Sequence, residues 1–302
     1  MLYWTCLLTV GHLTRVRERS AVMKIALGQL SPILGGVQEN LAQHLAMIAR
    51  ARSERADVIC FPELGLTGYL LQDAVYDVAL SLHSDEIRNL LAASCGIDVA
   101  FSFVEETPDH RFHAASAYAR AGRLSHLHRK VYLPTYGLFE EGRHLASGTD
   151  VRAFCAGAQT VGMMMCEDAW HPSVPYLFSV EGAQILYVLA AAPGRMLSAG
   201  PDSDSRGLWE RVLRTYAQLF GAFVVFVNRT GVEDGVHFFG QSFVVGPDGE
   251  VLGGTDSTEP TLAVIDIDLT AVRRARYRLP LLRDEDPHLT LRNLARILEG
   301  KR

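Results

Sequence analysis

Cysteine is scarce in this chain. The five thiols (Cys6, Cys60, Cys95, Cys155 and Cys166) are odd in number and scattered, and they form neither a C-x-x-C pair nor a His/Cys set with zinc spacing. A disulfide framework and a structural metal are therefore not expected, and a reducing, cytoplasmic setting is. Long apolar runs are missing too. Leu2 to Val10 is apolar but short, with no positive segment before it and no clear small-residue cleavage site after it. Neither a membrane span nor a secretory signal is predicted. Basic excess is absent: the formal charge is −5 and the pI near 6.1. The His/Arg cluster from Arg123 to Lys130 alternates with no aromatic platform, so nothing favours a nucleic-acid partner. The glycines of Gly157–Gly162 and Gly249–Gly254 lack the G-x-G-x-x-G order of a dinucleotide loop. Asp202 to Arg206 lacks the glycine and terminal glutamate of a calcium loop, and reads as a helix start capped by Ser203 or Ser205. No linker, low-complexity tract or internal repeat is visible.

What is present is a large apolar inventory, 48% of 302 residues, ample for one extensive core. Residues 1–22 fit it poorly and read as a poorly packed extension, with Met23 a candidate natural start; residues 23–302 read as one domain. Strands are predicted at Lys24–Gln29, Val58–Phe61, Asp98–Val104, Ala114–Ala119, Leu124–Tyr132, Gln159–Cys166, Ile185–Ala190, Phe223–Asn228 and Leu262–Ile267. Gln241–Val245 and Val251-Leu252, joined by Gly246-Pro-Asp-Gly249, form a predicted hairpin. Helices are predicted at Val37–Ser53, His83–Ser94, Pro175–Glu181 and Leu208–Phe220. Many strands are unbroken apolar runs, as when both faces of a sheet are covered. The pattern is α/β.

Three strand ends carry chemistry. Gly162 to Met165 runs into Cys166-Glu167-Asp168-Ala-Trp170, then Pro172. A thiol on such an elbow is exposed to a reacting carbon, with backbone N–H groups beside it for a developing oxyanion. A lone strand-end cysteine more often just fills a core. Val58 to Phe61 runs into Pro62 and Glu63, where a parallel sheet keeps its ligands; alone, Glu63 is an ordinary loop carboxylate. Lys130 begins an apolar stretch cut by Pro134 and Gly137, and supplies a cation that holds its proton; alone, it is a surface lysine.

Taken together, F-P-E-L-x-L-T-G-Y at Phe61–Tyr69, R-K-x-Y-L-P at Arg129–Pro134 and C-E-D-x-W at Cys166–Trp170 resemble the nitrilase, or carbon–nitrogen hydrolase, superfamily, over about Met23 to Asp266. The segments Leu133–Phe139, Asn228–Asp234 and Gly240–Gly249 add a similarity to the glutaminase domain of glutamine-dependent NAD synthetases. The resemblance implies a four-layer α-β-β-α sandwich and a Glu–Lys–Cys triad of Glu63, Lys130 and Cys166. It also implies a second glutamate at Glu141, with Glu140 the alternative. Cys166 would form a thioester with an amide carbon, Glu63 would shuttle the protons and Lys130 would stabilise the oxyanion, with no cofactor. Tyr136 and Glu167 match positions that bind a glutamine head group, or serve only to shape the site. Ala192-Pro193 stands where the glutaminase domains commonly write Ser-Pro, which removes a polar contact. A glutamine-like or other small ω-amide is the expected substrate, an N-carbamoyl amine the alternative. No S-G-G-x-D-S pyrophosphate loop is present, so this chain is not expected to make NAD alone. A homodimer or higher homo-oligomer, an ammonia-supplying role beside a separate synthetase, and a catalytically idle binding module complete the readings.

Overall fold

The computed structural model describes residues 22–194 and 205–301. The proposed extension before Val22 and the cap at Ser203, with Asp202 and Asp204, lie outside the described residues.

Fourteen strands follow one another among the described residues: β1 (Val22–Gln29), β2 (Val58–Cys60), β3 (Asp98–Glu106), β4 (Phe112–Arg120), β5 (Arg123–Arg129), β6 (Phe154–Ala156), β7 (Gln159–Met165), β8 (Ile185–Ala190), β9 (Phe223–Asn228), β10 (Thr230–Glu233), β11 (Val236–Phe239), β12 (Phe243–Val245), β13 (Val251–Gly254) and β14 (Thr261–Asp268). They make two six-stranded sheets, in the orders β14-β1-β2-β3-β4-β5 and β13-β12-β9-β8-β7-β6, and a β10-β11 ribbon. Val22, assigned above to the extension, is the first residue of β1 and pairs with Asp268.

Alternation of side chains across each strand explains the layering. Ile25 and Leu27 of β1 face Met163, Tyr187 and Val225 of the other sheet in one buried cluster between the sheets. Ala26 and Ile59 face outward, against Leu41 and Ile48 of helix Val37–Ser53 and Ile87 and Leu90 of helix Asp85–Ala93. On the far side Val188 and Val224 meet Phe178 of helix Ser173–Val180 and Trp209 and Leu213 of helix Ser205–Phe220. The result is the α-β-β-α sandwich. Strands covered on both faces can be apolar throughout, and β8 and β9 are buried along their whole length.

A repeat absent from the sequence is present in the topology. Read from β14 to β5, neighbours pair antiparallel, parallel, parallel, antiparallel, antiparallel; read from β6 to β13, the same series recurs. Each half also threads a helix between its parallel strands. Connections can repeat where residues do not, because cores tolerate extensive hydrophobic substitution so long as volume and patterning are kept.

Two strand ends differ from expectation. The strand predicted to reach Tyr132 stops at Arg129, so Lys130 follows a strand instead of opening one. The reason is competition: the Val131 and Tyr132 N–H groups both donate to Asp168 Oδ1, at 3.0 Å each, and leave the ladder. Cys166 likewise lies just past β7, as the first residue of a short 3₁₀ turn, Cys166–Trp170.

Candidate active site

Glu63, Lys130, Cys166 and Ala191 all follow the carboxyl end of a strand, namely β2, β5, β7 and β8. That shared edge is where an α/β sheet presents ligand-binding groups. The two elbows are sharp. Cys166 has φ +38° and Leu64, next to Glu63, has φ +46°, both in the left-handed region that non-glycine residues avoid. Such strain costs about 1–3 kcal/mol per residue and persists only where surrounding contacts hold it.

The charged groups form one buried cluster. Lys130 Nζ donates to Glu63 Oε1 and to Glu141 Oε1, each at 2.7 Å, with Lys130 and Glu63 side chains wholly buried. Glu63 Oε2 accepts from the Ala191 N–H at 3.0 Å, and the Cys166 thiol lies beside the same carboxylate. Tyr69 donates its hydroxyl to Glu141 Oε1 at 2.5 Å. Glu141 Oε2 has no partner among the described residues. Glu140, the alternative second glutamate, is exposed and pairs loosely with Arg143; the residue brought to Lys130 is Glu141.

Electrostatics follow from this burial. Desolvation pushes the Glu63 carboxyl up to about 7; Lys130 pulls against it and Glu141 adds to it. Burial alone would lower Lys130, but the Glu141 and Glu63 carboxylates outweigh it and hold the ammonium well above its ordinary value. Burial and the neighbouring Glu63 push the Cys166 thiol well up, so the resting sulfur keeps its proton beside a carboxylate able to take it. A cation that does not titrate, a carboxyl that does, and a protonated thiol form a set suited to nucleophilic attack with concerted proton removal.

The remaining predicted residues stand around this cluster. Tyr136 donates its hydroxyl to Glu167 Oε2 at 2.8 Å, and His171 Nε2 lies 3.7 Å from Glu167 Oε1. Ala192 is buried, its backbone N–H held by Asn228 Oδ1 at 2.8 Å. Cys60 is buried, whereas Cys95 and Cys155 are exposed, just past the end of a helix and on the edge strand β6. Among the described residues no group of three His, Cys, Asp or Glu could hold a metal ion, and no helix is long and apolar enough to cross a membrane.

Comparison with known proteins gives this geometry its context. A carbon–nitrogen hydrolase sequence profile matches residues 24–277. The chain belongs to the carbon–nitrogen hydrolase family. It is 28% identical over 257 residues to the glutamine-dependent NAD(+) synthetase of Thermotoga maritima, covering 82% of this chain and 42% of that protein. The Acinetobacter baylyi synthetase is also 28% identical, with 84% of this chain and 45% of that protein covered. The chain thus spans less than half the length of these relatives. Among solved structures, an amidase of the nitrilase superfamily from Nesterenkonia AN1 superposes with a TM-score of 0.74 at 26% identity, over 90% of this chain and 97% of that one. A Helicobacter pylori carbon–nitrogen hydrolase superposes with a TM-score of 0.82 at 22% identity, over 90% and 98%, and shows the same sandwich. This chain is accordingly a hydrolytic enzyme of carbon–nitrogen bonds with an α-β-β-α fold.

Several site residues were not singled out by sequence reasoning. Tyr69 and Asp168 lie inside quoted motifs but received no role. The buried pair Arg229–Glu233 (2.5 Å) also escaped notice; Glu233 Oε1 accepts from the Tyr69 and Leu70 N–H groups, and Arg229 lies over the Phe238 ring at 4.2 Å. The signal for Arg229 is its place just past the apolar run of residues 223–227, a charged residue following a strand as Glu63 and Lys130 do.

Proposed function

We propose that this carbon–nitrogen hydrolase cleaves a small ω-amide of the glutamine type through a thioester on Cys166. The Cys166 sulfur adds to the amide carbon while Glu63 removes the thiol proton. Lys130, with a backbone N–H beside Cys166, stabilises the tetrahedral oxyanion. Glu63 returns the proton to the leaving nitrogen, the C–N bond breaks, and ammonia departs. Water, losing a proton to Glu63, then attacks the thioester, and the acid leaves as the thiol is restored. Glu141 holds Lys130 from the other side and presents its unpartnered Oε2 to the substrate. The observation that carries this reading is the single Glu63 carboxylate, bonded to the Lys130 ammonium and the Ala191 N–H and standing beside the Cys166 thiol.

The substrate class rests on the Tyr136–Glu167 pair, a carboxylate placed beside the thiol and suited to an α-ammonium, and on the similarity to glutamine-dependent synthetases. The same similarity supports a role in which the released ammonia feeds a synthetase reaction. A second reading, a general small-amide hydrolase, is favoured by Ala192, which offers no hydroxyl, and by the likeness to an amidase. Ammonia release by the purified chain from glutamine, glutaramate, short aliphatic amides and N-carbamoyl amines separates them. With glutamine as substrate, Glu167→Gln should raise KM about ten- to a hundredfold, the equivalent of a charge-assisted bond of roughly 1.5–3 kcal/mol. Preference for glutaramate, with no response to Glu167→Gln, rejects the glutamine reading in favour of the second.

A further inference from the structure

Asp168 is a wholly buried carboxylate with no task in the chemistry above, yet it is among the most heavily bonded groups near the site. Its Oδ1 accepts from the Val131 and Tyr132 N–H groups, at 3.0 Å each. Its Oδ2 accepts from His128 Nε2 at 2.8 Å and from the Met165 N–H at 3.2 Å. The four donors have a pattern. Three flank Lys130 in the chain, and the fourth belongs to the residue immediately before Cys166.

The two sides of the site are held by different means. Glu63 is tied to the second sheet by its own groups: its N–H donates to Ala190 O at 3.3 Å and its carboxylate accepts from the Ala191 N–H. Lys130 has no such tie of its own. Its backbone bonds, to Ala114 O and from the Gly148 N–H, reach the first sheet and its following loop only. What ties the backbone on both sides of the lysine to the Cys166 elbow is Asp168; the Tyr132–His171 stacking and the Tyr136–Glu167 bond join the same segments through side chains. Only a carboxylate suits the position, because all four neighbours are donors and an amide would turn an NH₂ towards two of them. His128 is buried against the Phe178 ring, and its Nδ1 has no partner among the described residues, so Asp168 is the ring's one hydrogen-bond partner there.

We propose that Asp168 and His128 are a positioning pair that sets the Lys130 ammonium at its working distance from the Cys166 sulfur. This rests on the reading of Cys166 as nucleophile and Lys130 as oxyanion donor. The pair touches no reacting atom; it acts through the backbone on both sides of the lysine and through the strand end that carries the thiol. A displacement of about 1 Å in such a frame costs on the order of a hundredfold in rate.

The test compares Asp168→Asn, His128→Leu and His128→Gln with wild type, measuring kcat and KM on whichever amide the wild type turns over, Cys166 alkylation by iodoacetamide, and thermal melting. Gln keeps an N–H donor near the position of Nε2. Asp168→Asn and His128→Leu should lose kcat about a hundredfold with KM little changed. Cys166 alkylation should slow with them, and His128→Gln should recover most of both. Unchanged kcat per folded molecule with only a lower melting temperature overturns the proposal, as does a His128→Gln enzyme no better than His128→Leu. Should Asp168→Asn fail to fold, the His128 pair decides. Should wild type hydrolyse no amide offered, the substrate reading has failed, and the alkylation rates of the variants relative to wild type decide the positioning role by themselves.

Discussion

The two halves of the sandwich share one connection pattern but bring different goods to their common edge. The half built on β1–β5 supplies charge: Glu63, Lys130 and, from the loop beyond β5, Glu141. The half built on β7–β13 supplies the thiol, the Ala191 N–H and the Asp168 acceptor. Each spends one left-handed non-glycine residue at its elbow, Leu64 in the first and Cys166 in the second. The division has a physical use. A lysine paired with two carboxylates offsets one of their two charges, and the Glu63 carboxyl, raised to about 7, takes up a proton readily against the other, whereas a thiol tolerates burial unaided. Beside the reacting atoms the first half thus carries the buried charge and the second places an uncharged sulfur against it, while the second half's own buried charges, Asp168 and the Arg229–Glu233 pair, are each held by their own partners.

The most severe way to break this comparison is to remove what the second half brings. Cys166→Ala should abolish amide turnover, a loss of roughly a millionfold as for other covalent nucleophiles, while the melting temperature stays close to wild type; steady-state ammonia release measures it. Removing the first half's cation should cost less. Lys130→Met should lower kcat about 10²–10³-fold, the worth of one oxyanion donor, and melting should be followed beside it because Glu63 and Glu141 then face each other unpaired. The proton economy gives a gentler perturbation. Since the Glu63 carboxyl is raised to about 7 and acts ionised, kcat/KM should fall about tenfold per pH unit below that value; a profile flat down to pH 5 contradicts Glu63 as the base. The smallest effects test the frame alone. Gly122, in the two-residue β4–β5 turn, and Gly249, in the β12–β13 turn, have φ of +77° and +85° in corresponding hairpins of the two halves. Alanine at either should cost about 1–2 kcal/mol of stability without altering kcat, read by chemical denaturation.

The parts of this structure visible in the sequence are those written in single residues or short runs. Strands buried on both faces announce themselves as apolar runs, and helix Val37–Ser53 matches its predicted span because its Leu41 and Ile48 repeat at helical spacing. Short or polar elements do not. Strands β6, β10 and β11 have three or four residues each, and Thr230–Glu233 lacks an apolar pattern. Helix Thr270–Arg278 buries only Val272 and carries little pattern to detect, whereas helix Pro287–Glu299 does repeat Leu291, Leu294 and Leu298 at helical spacing but leaves that stripe exposed. At the site, Glu63, Lys130 and Cys166 are legible as functional types at strand ends, and their meeting rests on the fold. The choice between Glu140 and Glu141 turns on which carboxylate faces inward, information that adjacency in sequence does not contain. Tyr69, Asp168 and Glu233 each act through a partner 36 or more residues away, as Glu233 does 164 residues from Tyr69, and no local pattern encodes such distances.

The pairing of β1 with β14 bears on how this protein comes to exist. All eight residues of β1 meet partners in β14, the last strand of the chain among the described residues. During synthesis the amino-terminal strand emerges early and waits with one edge open until Thr261 to Asp268 have left the ribosome. Glu63, Lys130 and Glu141 wait with it for Cys166. A chain stopped before Thr261 keeps an unpaired apolar edge, which favours association with other chains over folding. Contacts so distant in sequence form slowly. The last-made strand of the sandwich therefore acts as its latch, and an active molecule is one that has been translated at least that far.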